Sequence, residues 1–386
     1  MFKISSIQSQ HSIKKRDSNL ELYRIITMML IIAHHYVVNS GLTSVGGVLY
    51  TNPTSWRTLF LLTIGAFGKT GINCFVMITG YFMCKSQITC RKYVKLFAEV
   101  VFYDILFNII FWATGYSPFT LASFAKNILP FTSITQNFTG CYLVFFLFIP
   151  FANKLIHNLT QKQHLYLILL CSFTYIFMGT IPFFSVSFNY VSWYLVIFFI
   201  ASYIRLYPAK IFNNTKFWGI LSVISVSLLM LSIFSCVWLG TKLNRFMPYV
   251  FAQDSNTFLA VSTAVTTFLF FKNIKVRYNK IINLFAGSTF GVLLIHAASD
   301  NMRKWLWKDV LNNEGIYNSK YMPLHAIGSV IGIFVVCAIL DMLRIKFIET
   351  PFFCLWDKHY GRIKNKFLKF ESKILCKICT LSKSDI

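Results

Sequence analysis

The strongest constraint on this chain is a series of apolar runs, each close to twenty residues long. They lie near 20–40, 59–83, 96–113, 138–156, 164–182, 190–208, 216–239, 255–271, 281–299 and 323–345. Twenty residues of α-helix rise about 30 Å, the thickness of a bilayer's hydrocarbon core. In lipid, every backbone N–H and C=O of such a run must find its partner within the protein, which selects helices. The expected fold is therefore all-α: a polytopic membrane protein of about ten transmembrane helices. Composition excludes the soluble alternative, because 13% charged residues cannot coat a core built from a chain that is 56% apolar.

The net charge of +24 would point to nucleic acid in a soluble protein. Here the basic residues sit between apolar runs, in the pattern that sets membrane topology and contacts anionic lipid, so no nucleic-acid partner is expected. One side collects Lys3, Lys14, Lys15 and Arg16, then Lys85, Arg91, Lys92 and Lys95, and later Arg205, Lys210, Lys272 and Arg277. The other side has few, among them Arg57, Lys242 and Arg245. Both termini are thus expected in the cytoplasm, which an even number of spans allows. The organisation read from this is a cytoplasmic N-terminal segment (1–18), a membrane domain (19–350) and a basic cytoplasmic tail (351–386). An outward stretch at 300–322 carries Trp305 and Trp307 and is expected to hold a short interfacial helix. Ten cysteines are scattered, mostly within apolar runs, and imply no disulfide framework. Cys376 and Cys379 form a C-x-x-C with no second ligand pair, so no metal is expected.

The first run holds the chemistry. Arg24, His34 and His35 lie in it, and a charge at mid-bilayer costs roughly 2.5–3.5 kcal/mol on insertion scales. Ten residues separate Arg24 from His35, about three helical turns, so the two share a face, with His34 rotated by about 100°. Glu21 falls close to the same direction. Glu21, Arg24 and His35 form a polar stripe that climbs about 20 Å into the membrane. Histidine is the side chain suited to proton transfer near neutral pH. His35 is the candidate general base, with a packing role as the alternative; His34 is expected beside it.

These residues, with others in order along the chain, resemble the acyltransferase-3 family of membrane acyltransferases. Arg24 and His35 match its first-span signature. The stretch Gly68–Phe82, G-K-T-G-I-N-C-F-V-M-I-T-G-Y-F, looks like its second-span motif. Arg91, Lys92 and Lys95 match its basic cluster, and Pro150, Phe151 and Asn153 its P-F-x-N ending of the fourth span. Gly287-Ser288-Thr289-Phe290-Gly291 followed by Ile295-His296 is similar to a late L-T-F-G-x-Y-L-I-H stretch. The resemblance implies some ten spans in the bacterial plasma membrane. It also implies transfer of an acyl group, commonly acetyl from cytosolic acetyl-CoA, to a hydroxyl of a carbohydrate or lipid-linked sugar of the envelope or exopolysaccharide. Arg24 and His35 would be the essential pair, and the basic cluster would handle the donor. Coenzyme A carries three phosphates, which asks independently for cations on the inner side, and Arg91, Lys92 and Lys95 stand where the second span returns there. Two departures stand out: Lys92 and Lys95 replace arginines, which removes the bidentate fork, and Phe138-Thr139-Gly140-Cys141-Tyr142 opens the fourth span where tryptophans are common.

Further candidates for acceptor binding or support of the site are Asn73 and Tyr81 in the second span, Asp104 in the third, and His296 and Arg303 near the outer side. His296 is expected to orient His35, to bind the acceptor, or to serve packing alone. Asp341 and Arg344 are expected to pair across one helical turn. Two readings from other classes remain beside the acyltransferase: a transporter or flippase of an envelope precursor, and a sensor or scaffold with an inactive site. The oligomeric state is not legible.

Overall fold

The computed structural model describes residues 17–130, 137–181, 183–184 and 186–360. The basic N-terminal residues Lys3, Lys14, Lys15 and Arg16, the Cys376–Cys379 pair and the end of the tail lie outside the described residues. Among the described residues the chain is built of helices and turns, without a strand. Seven helices among the described residues are long and apolar enough to cross a membrane: Ser18–Val38, Trp56–Met83, Cys90–Ala113, Phe138–Asn158, Gln161–Thr180, Thr215–Lys242 and Met322–Tyr360. Tyr190–Leu206 and Phe258–Asn273 are shorter apolar helices.

The expected span at 281–299 is not one helix. It is two eight-residue helices, Lys280–Gly287 and Thr289–His296, divided at Ser288 with φ −101° and ψ 4°. Glycine followed by serine is weak helix-forming material, since one has excess backbone freedom and the other competes for backbone hydrogen bonds. The expected interfacial helix at 300–322 is likewise altered. Asp300–Lys304 is a short α-helix that widens into a π-helical stretch, Trp305–Val310. Trp307 is not an interfacial anchor: it is fully buried, edge-on to Tyr36 and to His296.

We label α1 (Ser18–Val38), α2 (Trp56–Gly65), α3 (Gly68–Met83), α4 (Cys90–Ala113), α5 (Phe138–Asn158), α6 (Gln161–Cys171), α7 (Tyr190–Leu206), α8 (Thr215–Lys242), α9 (Phe258–Asn273), α10 (Lys280–Gly287) and α11 (Thr289–His296). The helix α1 is the hub, packing on α2, α3, α9, α10 and α11. Its contacts are tied by polar groups that have no water to turn to. Tyr23 Oη donates to Cys74 Sγ of α3 and meets Thr267 Oγ1 of α9, each at 2.8 Å. Asn19 Nδ2 donates to the carbonyls of Phe271 and Lys272 at the end of α9. Pro150 lies inside the continuous helix α5, and Asn153 one turn later donates to the Met83 carbonyl at 3.0 Å, clamping α5 to the end of α3. That accounts structurally for the P-F-x-N sequence. At the lipid-facing side, α8 exposes Ile220, Val223, Leu231 and Trp238.

The chain divides into two compact units, Met1–Cys337 and Ala338–Ile386. In the second, Arg344 pairs with Asp341 and also with Glu349, at 2.9 Å each. The pair read from the sequence is thus a buried triad with one partner more.

Candidate active site

Near the end of α1, His35 meets a residue 261 positions away. Its Nδ1 lies 3.0 Å from Nε2 of His296, the last residue of α11. The other ring nitrogen of His296, Nδ1, is 2.6 Å from the Val292 carbonyl one turn back. A carbonyl only accepts, so His296 Nδ1 carries the proton. With both rings neutral, His296 Nε2 is then a lone pair, and it takes the N–H of His35 Nδ1. The tautomer of His35 follows: its Nε2 is left with a free lone pair, and among the described residues no protein group bonds to it. One carbonyl-to-imidazole link and one imidazole-to-imidazole link thus fix which nitrogen of His35 is available as a base.

His34 is held differently. Its Nδ1 donates to the Gly65 carbonyl at the end of α2, at 2.6 Å. Its ring lies over Gly68, where any Cβ would overlap it, and a Cβ on Gly71 would stand 2.7 Å from Ile31. The glycines of G-K-T-G, three residues apart, therefore let α3 approach α1 closely enough to seat both histidines. That is the physical content of the second-span motif.

His34 and His35 open onto a cavity of about 610 Å³ that Lys69, Asp104, Tyr190 and Arg303 also line. Lys69 lies between the two close-packing glycines. Its Nζ donates to the Tyr190 hydroxyl at 2.8 Å and stands 3.9 Å from the Asp254 carboxylate. Arg303 is paired with the exposed Asp300 at 2.9 Å. Phe138 and Tyr190 give the cavity aromatic walls beside these charges, and Asn137 an amide. The mixture of aromatic faces, a carboxylate, an amide and cations is what a hydroxyl-rich ligand uses for stacking and hydrogen bonding.

The sequence-based candidates thus divide into groups. His34, His35, Asp104 and Arg303 share one cavity, and His296 bonds to His35 from behind. Glu21 and Arg24 form a salt bridge of 2.9 Å lower on α1 and do not line that cavity. Asn73 is buried and joins helices: it donates to the Ser255 carbonyl and accepts from Trp193 Nε1. Tyr81 lines a second cavity, at the other end of α1. Arg91, Lys92 and Lys95 lie exposed in the first two turns of α4 and line neither cavity. Lys69 and Tyr190 escaped the sequence reading. A lysine inside an otherwise apolar helix was the available signal for the first; Tyr190 has none that separates it from the chain's other tyrosines.

No curated protein and no solved structure matches the chain. The acyltransferase-3 family model, described as an acyltransferase domain, matches residues 17–342. That interval takes in α1 with its two histidines, the glycine-spaced α3 and the broken α10–α11 pair that delivers His296. A multi-pass helical membrane protein with a match over most of its length is assigned on that ground: the chain belongs to the acyltransferase-3 family and is an acyltransferase.

Proposed function

We propose that this protein transfers an acyl group, acetyl from acetyl-CoA, to a hydroxyl of a carbohydrate of the bacterial cell envelope or exopolysaccharide, with His35 as general base. The observation that carries the reading is the chain Val292–His296–His35, which leaves Nε2 unprotonated on a histidine that lines a cavity of ligand size. In the reaction, Nε2 takes the proton of the acceptor hydroxyl as its oxygen attacks the thioester carbonyl. The C–S bond of the tetrahedral intermediate then breaks, and the coenzyme A thiolate leaves and recovers the proton. Holding the acceptor beside the base converts an encounter in solution into a step within one complex. Lys69, on the same wall as the histidines, is the cation placed to face the oxyanion of that intermediate. His296 keeps His35 in the productive tautomer and disperses the charge that forms on it. In this reading the acceptor occupies the His35 cavity, both termini lie in the cytoplasm, and the donor approaches from there. The thiolate is a sufficient leaving group without a metal.

The test uses membrane vesicles containing the protein, acetyl-CoA labelled in the acetyl group, and host envelope carbohydrate. Alkali-labile label should appear in the carbohydrate, and His35→Ala should lower its rate by about 10²–10⁴-fold at equal membrane insertion. Equal labelling by that variant would remove His35 from the chemistry. Movement of an unmodified carbohydrate precursor across the vesicle, with no ester formed, would favour the transport reading instead.

A further inference from the structure

At the opposite end of α1 from His35 lies a second cavity, also about 610 Å³, that the family assignment leaves without a role. Asp17, Asn19 and Leu20 of the α1 terminus form one wall, and Lys85, Arg205 and Lys272 bring three cations to it from the ends of three other segments. None of these cations pairs with a carboxylate among the described residues. Lys272 Nζ is held by neutral acceptors only: the Phe212 carbonyl at 3.0 Å and the side-chain oxygens of Asn213 and Asn273 at 2.8 and 3.0 Å. Arg205 gives one Nη1 hydrogen bond to Tyr81 Oη at 2.7 Å, while its Nε is buried without any acceptor. Asp17 is the one carboxylate on the wall, and it is exposed.

Ordinary topology-setting lysines extend into water at the membrane surface and need no cavity. Arg205 and Lys272 do the opposite. Both are half-buried and fixed by neutral partners, so their charge is oriented and uncompensated. An unused guanidinium N–H in a polar cavity is costly unless a ligand accepts from it. The group that suits an arginine fork flanked by two ammoniums is an anionic phosphate ester.

We propose that the cavity lined by Lys85, Arg205 and Lys272 is a phosphate-ester binding site, separate from the exposed Arg91–Lys95 cluster. Two molecules at this membrane surface carry such a group: the nucleotide end of coenzyme A and the headgroup of an anionic phospholipid. Choosing coenzyme A as a probe rests on the acyl-transfer reading above. The cavity assignment itself rests on the charges.

The experiment titrates coenzyme A into the purified full-length protein in phosphatidylcholine nanodiscs, and measures phosphatidylglycerol retained from mixed discs by native mass spectrometry. Arg205→Gln and Lys272→Gln should each weaken coenzyme A binding about tenfold or more, the size of a lost charge-assisted hydrogen bond. If coenzyme A affinity is unchanged while both variants lose retained phosphatidylglycerol, the site stands with a lipid headgroup as its ligand. The proposal is overturned if the unsubstituted protein binds neither, or if both variants hold both ligands within about twofold. Should a variant fail to fold, the unsubstituted protein still decides. Either ligand should slow acetylation of Lys85 and Lys272 by an amine-reactive ester, and no slowing overturns the assignment. Failure here is distinct from failure of the enzymatic reading. Acyl transfer with unaltered affinities in the variants would sink the cavity alone, and binding through Arg205 and Lys272 without any transfer would sink the enzyme alone.

Discussion

The helices α1 and α8 invert the rule that governs a soluble protein. The first is half buried and has a mean hydropathy of 1.2 over its best window; the second is 28% buried and reaches 2.5. The more apolar helix is the one left outside. Lipid tails solvate α8 as well as a protein core would, so its exposed Ile220, Val223 and Leu231 gain little by packing. Polar groups, in contrast, have nowhere to go but inward. Tyr23, Glu21, Arg24, His34 and His35 all sit on α1, and each has a partner inside the bundle. Hydropathy alone does not decide the matter, since Gln161–Thr180 also averages 1.2 and is only 11% buried; what α1 adds is its ionisable side chains, and it is the span that bears the candidate base.

Substitutions can break or sharpen that contrast. The largest effect is expected behind the base: His296→Ala leaves His35 Nδ1–H without its acceptor and its tautomer unfixed. Acyl transfer by reconstituted protein should fall about 10–100-fold, as for a misplaced catalytic group, with the helix content by circular dichroism unchanged. A smaller deviation would show that α1 positions His35 without help. Next comes Gly68→Ala, which drives a methyl group into the His34 ring. It should cost about 1–3 kcal/mol of thermal stability and disturb transfer as well; wild-type behaviour would mean that α3 slides freely on α1. Tyr23→Phe removes the link to Cys74 and Thr267 and should destabilise by about 1 kcal/mol in a denaturant titration in micelles. The smallest effect belongs to α8. Leu231→Ala on its outer face should change stability by less than about 0.5 kcal/mol, and a loss comparable to that of Tyr23→Phe would reveal a buried partner for a face assigned to lipid.

Much of this architecture is legible in the sequence because lipid makes the code simple. A run such as Phe138–Asn158 has one stable solution in hydrocarbon, and it is a helix. The histidines of α1 are likewise conspicuous, since polar residues at that depth need a reason. The sequence leaves His296 with several possible roles, and what is not legible is which of them it takes. The contact with His35 is made by the way α11 restarts after Ser288, which nothing local to Ile295-His296 announces. Nor could periodicity alone turn Arg24 toward the His35 cavity: sharing a helix face does not ensure sharing a pocket, and Glu21 engages it first. Trp307 misled for a related reason. A tryptophan beside charged residues resembles an interfacial anchor, but here Tyr36 and His296 draw it into the core.

The distance along the chain between the two bonded imidazoles has a consequence for biosynthesis. His35 enters the membrane on α1, whereas His296 is translated 261 residues later. At common ribosome speeds the interval is on the order of tens of seconds. During it, the nascent protein has a histidine whose protonated nitrogen is not chosen and whose cavity has no back wall. Under the proposed mechanism His35 becomes fully competent as a base only when the late segment arrives, so a truncated or stalled product should spend little thioester on water.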